Sequence, residues 1–220
     1  MNNPLDSTIV LLNSLNFGDR IKGLNQLRTV EDRAEAFRLI LPLVKDMNTR
    51  VRYAAVSQLD VLGTENLELA LELLRDRLFN DSEPDVQAAA ADAIGGLKLT
   101  EAYDDLATAY HQTSEWLVQF SIIATLGELG EPRGVELLEE ALNSDINLLQ
   151  TAAIGSLGEL GDQRAVKLLI PFANNEDWQI RYRLVQALGR LGGDQAQTIL
   201  QQLVNDEVTQ VAQEAENNLN

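Results

Sequence analysis

Apolar residues along the chain stand at helical spacing, and the spacing itself recurs. From Val51 they fall at offsets 0, 4, 5 and 8 (Val51, Ala55, Val56, Leu59), and the same offsets carry Ile180, Leu184, Val185 and Leu188. Such a stripe covers one side of a helix with period near 3.6. The strings LGELGEPRGVELL (from Leu126), LGELGDQRAVKLL (from Leu157) and LGRLGGDQAQTIL (from Leu188) follow one another at steps of 31 residues. The aligned apolar position runs backwards through Val211, Ile180, Leu149, Val118 and Val86, then reaches Val51 after a longer step of 35. The extra residues are expected near Gly95, Gly96 and Leu99. A weaker copy starts at Asp19 and Arg20, with Gly23 to Leu27 matching Ala55 to Leu59.

Each copy predicts two helices. The first carries a leucine pair such as Leu137-Leu138 or Leu168-Leu169, and the second carries the stripe. Five residues before the aligned position stand Asp46, Asp81, Thr113, Ser144, Asn175 and Asp206. All six accept hydrogen bonds through a side-chain oxygen and are expected to cap the second helix. The second helices run into Leu-Gly pairs, where glycine can adopt the left-handed conformation that ends a helix. Pro84 and Pro132 fall at predicted helix starts. One helix pair cannot bury both its faces, so neighbouring pairs must stack on a shared core.

The pattern D-x-x-x-x-V-R-x-x-A-A-x-x-L, read from Asp46, Val51, Arg52, Ala54, Ala55 and Leu59, resembles the HEAT repeat. The expected fold is all-α, a HEAT-like α-solenoid of about seven helix pairs in a single domain over residues 1–220. A degenerate unit covers about 1–45, regular units about 46–204, and a capping unit 205–220.

Composition narrows the chemistry. Aromatic residues make up only 5% of the 220, so the core is aliphatic. With no cysteine and a single histidine, His111, the chain has no thiolate ligand or nucleophile and no histidine-rich metal site. No metal is expected and no catalytic residue stands out. His111 lies near the end of a predicted first helix, where a cation favours the dipole. The net charge of −17 repels phosphate backbones and anionic lipid, which disfavours nucleic-acid partners and membrane insertion. No uninterrupted apolar run is long enough to span a bilayer, and the N-terminus shows no export signal, so a cytoplasmic location is expected. The charge is uneven: residues 20–52 hold eight basic side chains against four acidic ones, and 53–220 hold nine against 28. Arg33 and Arg38 belong to this basic segment, which is expected to meet an acidic partner surface.

Candidate function is sought where one copy departs from the others. Offset 2 holds Tyr53, Ala88, Phe120, Thr151 and Tyr182, and four residues before two of these rings stand Trp116 and Trp178. That spacing puts each tryptophan on the same helix face as its partner ring. Either the rings fill gaps between helices, or they line an exposed face suited to a planar ligand or a partner helix. Arg183 stands where other copies have Ala54, Ala89, Ser121 and Ala152, so stacking does not require its charge. Offset 1 holds Arg52, Gln87, Gln119, Gln150 and Arg181, and reads as a structural rung bonding carbonyls of the adjacent turn. Glu128, Glu159 and Arg190 read as solvated charges. The candidate ligand-binding set is therefore Tyr53, Trp116, Phe120, Trp178, Tyr182 and Arg183.

The strings Trp178 to Arg183 and Val51 to Ala55, the Leu-Gly-Glu-Leu-Gly-Asp linkers and the seven-copy length resemble the cyanobacterial HEAT proteins that act on phycobiliproteins. These are the heterodimeric phycobilin lyases of the E/F type and the NblB-type phycobilisome degradation proteins, and the latter are the more similar. The resemblance implies phycobiliprotein partners (phycocyanin and allophycocyanin subunits) and a linear tetrapyrrole joined by a thioether to a partner cysteine. It implies no resident cofactor, with phycocyanobilin as bound substrate or product. The implied activity is lyase-like detachment of the bilin during phycobilisome degradation. A non-catalytic adaptor recruiting proteolysis and one half of an attaching lyase are the alternatives. Arg183 and Arg52 are candidate partners for the bilin propionates.

Overall fold

A computed structural model describes residues 4–219, and no strand occurs among them. The chain is all-α, of the HEAT-like α-solenoid class, and divides into two compact units, residues 1–121 and 122–220. The first unit contains α1 (Pro4–Leu12), α2 (Phe17–Leu27), α3 (Arg33–Ile40), α4 (Thr49–Ser57), α5 (Leu59–Leu62), α6 (Leu67–Asn80), α7 (Pro84–Gly96) and α8 (Tyr103–Gln112). The division falls within α9 (Trp116–Leu129). The second unit contains α10 (Gly134–Leu142), α11 (Asn147–Leu160), α12 (Arg164–Leu169), α13 (Trp178–Leu191), α14 (Gly193–Leu203) and α15 (Thr209–Leu219). Short 3-10 turns extend α3 and α12, each with proline in its first turn (Pro42, Pro171).

The apolar stripes form the core as their spacing requires. Val51, Ala55, Val56 and Leu59 are buried, as are Ile180, Leu184, Val185 and Leu188. In the second unit α11, α13 and α15 pack side by side, while α10 and α14 lie against their partners α11 and α15. The motif Leu-Gly-x-Leu-Gly uses its two glycines differently. Gly161 ends α11 at φ +75°, a left-handed turn. Gly158 lies inside α11, where a Cβ would come 2.6 Å from the Cα of Ala187 on α13, so its bareness lets the helices approach.

The insertions differ from expectation. The residues that lengthen the step from Val51 to Val86 are absorbed where α4 breaks at Gln58 into α5 and a 3-10 turn (Gly63–Glu65), and in the long α6. The Gly95 to Leu99 region instead absorbs the smaller irregularity before Val118, with Lys98 at φ +56°.

The six polar turn residues are not N-caps. Each lies two positions before the cap and accepts the N–H of the cap residue itself. Asp46 takes Asn48 (2.8 Å), Asp81 takes Glu83 (3.1 Å), Thr113 takes Glu115 (3.1 Å), Ser144 takes Ile146 (3.1 Å), Asn175 takes Asp177 (2.9 Å) and Asp206 takes Val208 (2.9 Å). Ser14 does the same for Asn16 at 3.1 Å. The caps Asn16, Asn48 and Asp177 then accept from Gly18, Arg50 and Gln179. Two successive side-chain turns thus fix how the chain enters a second helix.

The offset-1 residue braces that turn, as its rung reading implies. Arg52, Gln87, Gln119 and Arg181 donate to the carbonyls of Asp46 (3.0 Å), Asp81 (3.0 Å), Thr113 (3.3 Å) and Asn175 (2.7 Å). Arginine does more than glutamine here. Arg20 pairs with Asp46, Arg52 grips Asp81 through Nε and Nη2 (2.8 Å each), and Arg181 grips Asp206 (2.7 and 2.9 Å). Where glutamine stands instead, at Gln87, Gln119 and Gln150, the next turn residue is uncharged: Thr113, Ser144 and Asn175. Charge enters the ladder only in pairs, as burial demands.

Candidate ligand groove on the second helices

Trp178 is the first residue of α13, placed by the Asp177 cap, and Tyr182 follows one turn later. Their shared helix face opens on a groove of about 980 Å³ in the second unit. Leu148 and Thr151 of α11, Trp178, Tyr182 and Arg183 of α13, and Gln213 and Glu214 of α15 line it. This volume lies at the upper end of the roughly 300–1,000 Å³ of small-molecule sites. Trp178 is 40% exposed, Tyr182 half-buried and Arg183 exposed. The stem of Arg183 crosses Gly155, whose added Cβ would lie 3.6 Å from the arginine Cδ. Arg183 Nη1 donates to Gln186 Oε1 at 3.3 Å, and Gln186 Nε2 donates to Glu214 Oε1 at 3.4 Å. One amide thereby links the groove's cation to a carboxylate on α15. Asp177, also at the rim, is engaged as the cap of α13.

Of the sequence candidates, this groove brings together Trp178, Tyr182 and Arg183. Tyr53, Trp116 and Phe120 belong to the first unit, where Tyr53 and Trp116 are 48% and 49% exposed and Phe120 is half-buried. Two further exposed apolar residues stand at or next to the tryptophan position. Phe17 occupies the helix-start position of Trp116 and Trp178, and Leu148 follows that position on α11. Extending the register two residues before Asp19 would have found Phe17. A scan for aromatic rings passes over Leu148.

Arg52 is not available to an anion, because its guanidinium is committed to the nearly buried Asp81. Burial opposes ionisation of Asp81, yet the Arg52 hydrogen bonds, the Glu83 N–H and the charges of Arg52 and Arg77 hold its carboxyl below the usual range. The Arg181 hydrogen bond likewise holds Asp206 low. Asp76 is pulled down to about 2, first by Arg77 and then by Asn80 and Lys45. The basic segment is also more neutralised than its composition implies. Arg20, Lys22, Arg38, Lys45 and Arg52 all form ion pairs, Arg38 with Glu35 on its own helix. No group of three or more His, Cys, Asp or Glu placed to hold a metal occurs among the described residues. No described helix is long and apolar enough to cross a membrane.

Paired helices and a repeated turn brace define a helical-repeat protein. The chain belongs to the HEAT-repeat family, which it matches over residues 71–154 and 147–220. No curated protein matches it. Among solved structures, an engineered protein is similar at 18% identity and a TM-score of 0.60, covering 98% of this chain and 67% of its own. Human deoxyhypusine hydroxylase in complex with glycerol is similar at 17% identity and a TM-score of 0.46, covering 98% and 94%. A second engineered protein reaches 18% and 0.44 over 99% and 95%. The first of these likenesses supports the fold.

Proposed function

We propose that this HEAT-repeat protein binds phycobiliproteins and promotes detachment of their thioether-linked bilin during phycobilisome degradation. The observation that carries the reading is the groove of about 980 Å³ in which Trp178 and Tyr182 stand beside Arg183. A bilin is a long conjugated plane bearing two carboxylates. Exposed ring faces suit the plane, and the exposed guanidinium of Arg183 suits a propionate. The resemblance in the strings around Val51 and Trp178 supplies the substrate class.

Detachment by elimination gives a base the proton on the carbon next to the one that bears sulfur. As that C–H electron pair becomes a carbon–carbon double bond, the C–S bond breaks with its own pair leaving on sulfur as a thiolate, which takes up a proton. Tyr182 and Glu214 line the groove and have the chemistry to accept or return a proton, Glu214 accepting from Gln186. Having no cysteine, the chain forms no thioether of its own with the released bilin.

Purified protein mixed with chromophorylated phycocyanin, followed by visible absorbance and by cysteine-bound bilin on a denaturing gel, tests this. Loss of bound bilin in proportion to added protein is expected. A stable complex with full retention of bilin supports the adaptor reading instead, and absence of any complex refutes both.

A further inference from the structure

The turn tips that precede the second helices follow a trend that stacking does not explain. The residue after each polar turn residue is Leu15, Met47, Ser82, Ser114, Asp145, Glu176 and Glu207 in successive copies. Five of the seven are polar, as a solvated tip should be, and the first two are aliphatic. Leu15 and Met47 are also fully exposed. They are not loosely held. Arg20 donates to the Leu15 carbonyl (3.1 Å) and to Asp46 Oδ1 (3.0 Å), so one guanidinium clamps both turns, while Arg52 donates to the Met47 carbonyl at 3.3 Å. Phe17, the first residue of α2, and Tyr53, one turn into α4, are both more than 40% exposed. Arg50 lies three residues before Tyr53, exposed and without an ion pair among the described residues. Bare aliphatic and aromatic groups on a rigid frame, next to an unneutralised cation, are the elements of a protein-binding hot spot.

We propose that Leu15 and Met47, with Phe17, Tyr53 and Arg50, dock the protein partner, on a face where an apolar hollow is bordered by carboxylates. The proposal rests on the reading that this partner is a phycobiliprotein, and it separates the surface that holds the protein from the groove that meets the bilin. The net charge of −17 disfavours an anionic bilayer, and the unpaired Arg50 favours a carboxylate on the partner.

The chain has two methionines, Met1 and Met47, so labelling methionine methyl groups with carbon-13 gives a direct reporter. Titrating the labelled full chain with phycocyanin should shift or broaden the Met47 signal. Leu15→Ser combined with Met47→Ser should weaken the complex by about tenfold or more. Its melting temperature should be unchanged, because both side chains are solvated. Arg50→Glu should slow association and flatten its salt dependence. Full-strength binding by the Leu15/Met47 variant overturns this proposal and leaves the functional reading standing. No binding of phycocyanin by the unaltered chain overturns both. A Met47 signal that answers only to protein concentration or to anionic vesicles, and not to phycocyanin, assigns the surface to self-association or lipid and overturns the proposal.

Discussion

Replacing Asp81 by alanine removes the most heavily used acceptor of the ladder. Its carboxylate takes Arg52 Nε and Nη2 (2.8 Å each), Arg77 Nη1 (3.0 Å) and the Glu83 N–H (3.1 Å), and its side chain is 1% exposed. Alanine leaves the Arg52 guanidinium with only the turn carbonyls as acceptors, in a site too dry to solvate it. Breaking such a pair costs about 3–5 kcal/mol. For a cooperative chain of this size, with roughly 2–4 °C per kcal/mol, thermal unfolding followed by circular dichroism should fall by about 6–20 °C. The exposed Arg38–Glu35 pair is the control, and Glu35→Gln should leave the melt where it was. A rescue is built into the repeat itself. Changing Arg52→Gln together with Asp81→Ser recreates the uncharged register of Gln119 and Ser144, so the double variant should recover most of the loss. An Asp81→Ala chain melting within about 2 °C of the original, or a double variant worse than the single, refutes the ladder as a paired-charge brace.

Trp178→Ala should weaken phycocyanobilin binding by roughly 1–3 kcal/mol, about 5- to 150-fold, whereas Trp116→Ala, outside that groove, should leave it unchanged in the same titration. Gly158→Val forces side-chain atoms against the Ala187 backbone and should cost about 1–3 kcal/mol by chemical denaturation. Asp76, Asp81 and Asp206 are all depressed in the folded chain. Their contribution is therefore complete above the unfolded carboxylate range near pH 4, and is lost as pH falls through their folded values, for Asp76 about 2. Acid titration followed by circular dichroism should show a stability plateau above about pH 4 and progressive loss below it.

The repeat made the core legible because each stripe residue has one job, to face its neighbour, and spacing alone encodes that. The roles of the polar turn residues were only half legible. A side-chain oxygen five residues before the stripe announces a cap, but whether it meets the third helical N–H or the cap's own N–H depends on a turn of two residues that spacing does not specify. Asp81 shows the same limit for charge, since nothing in the string around Arg52 says that its partner lies 29 residues on, in the next turn. The aromatic register picked out Trp178 and Tyr182, and the broken position picked out Arg183. The third wall, with Gln213 and Glu214, was unreadable because a polar C-terminal copy looks like a solvated end. Leu15 and Met47 also escaped notice, because they lie in turns where apolar residues have no period.

A Trp178 groove that receives the bilin must report it in its own tryptophan emission. Trp116→Phe leaves Trp178 as the sole tryptophan of the chain. Titrating that variant with free phycocyanobilin while recording tryptophan emission reads the groove directly. Saturable quenching that Arg183→Ala weakens is the predicted result. Emission that falls only in simple proportion to added bilin, unaffected by Arg183→Ala, would contradict it.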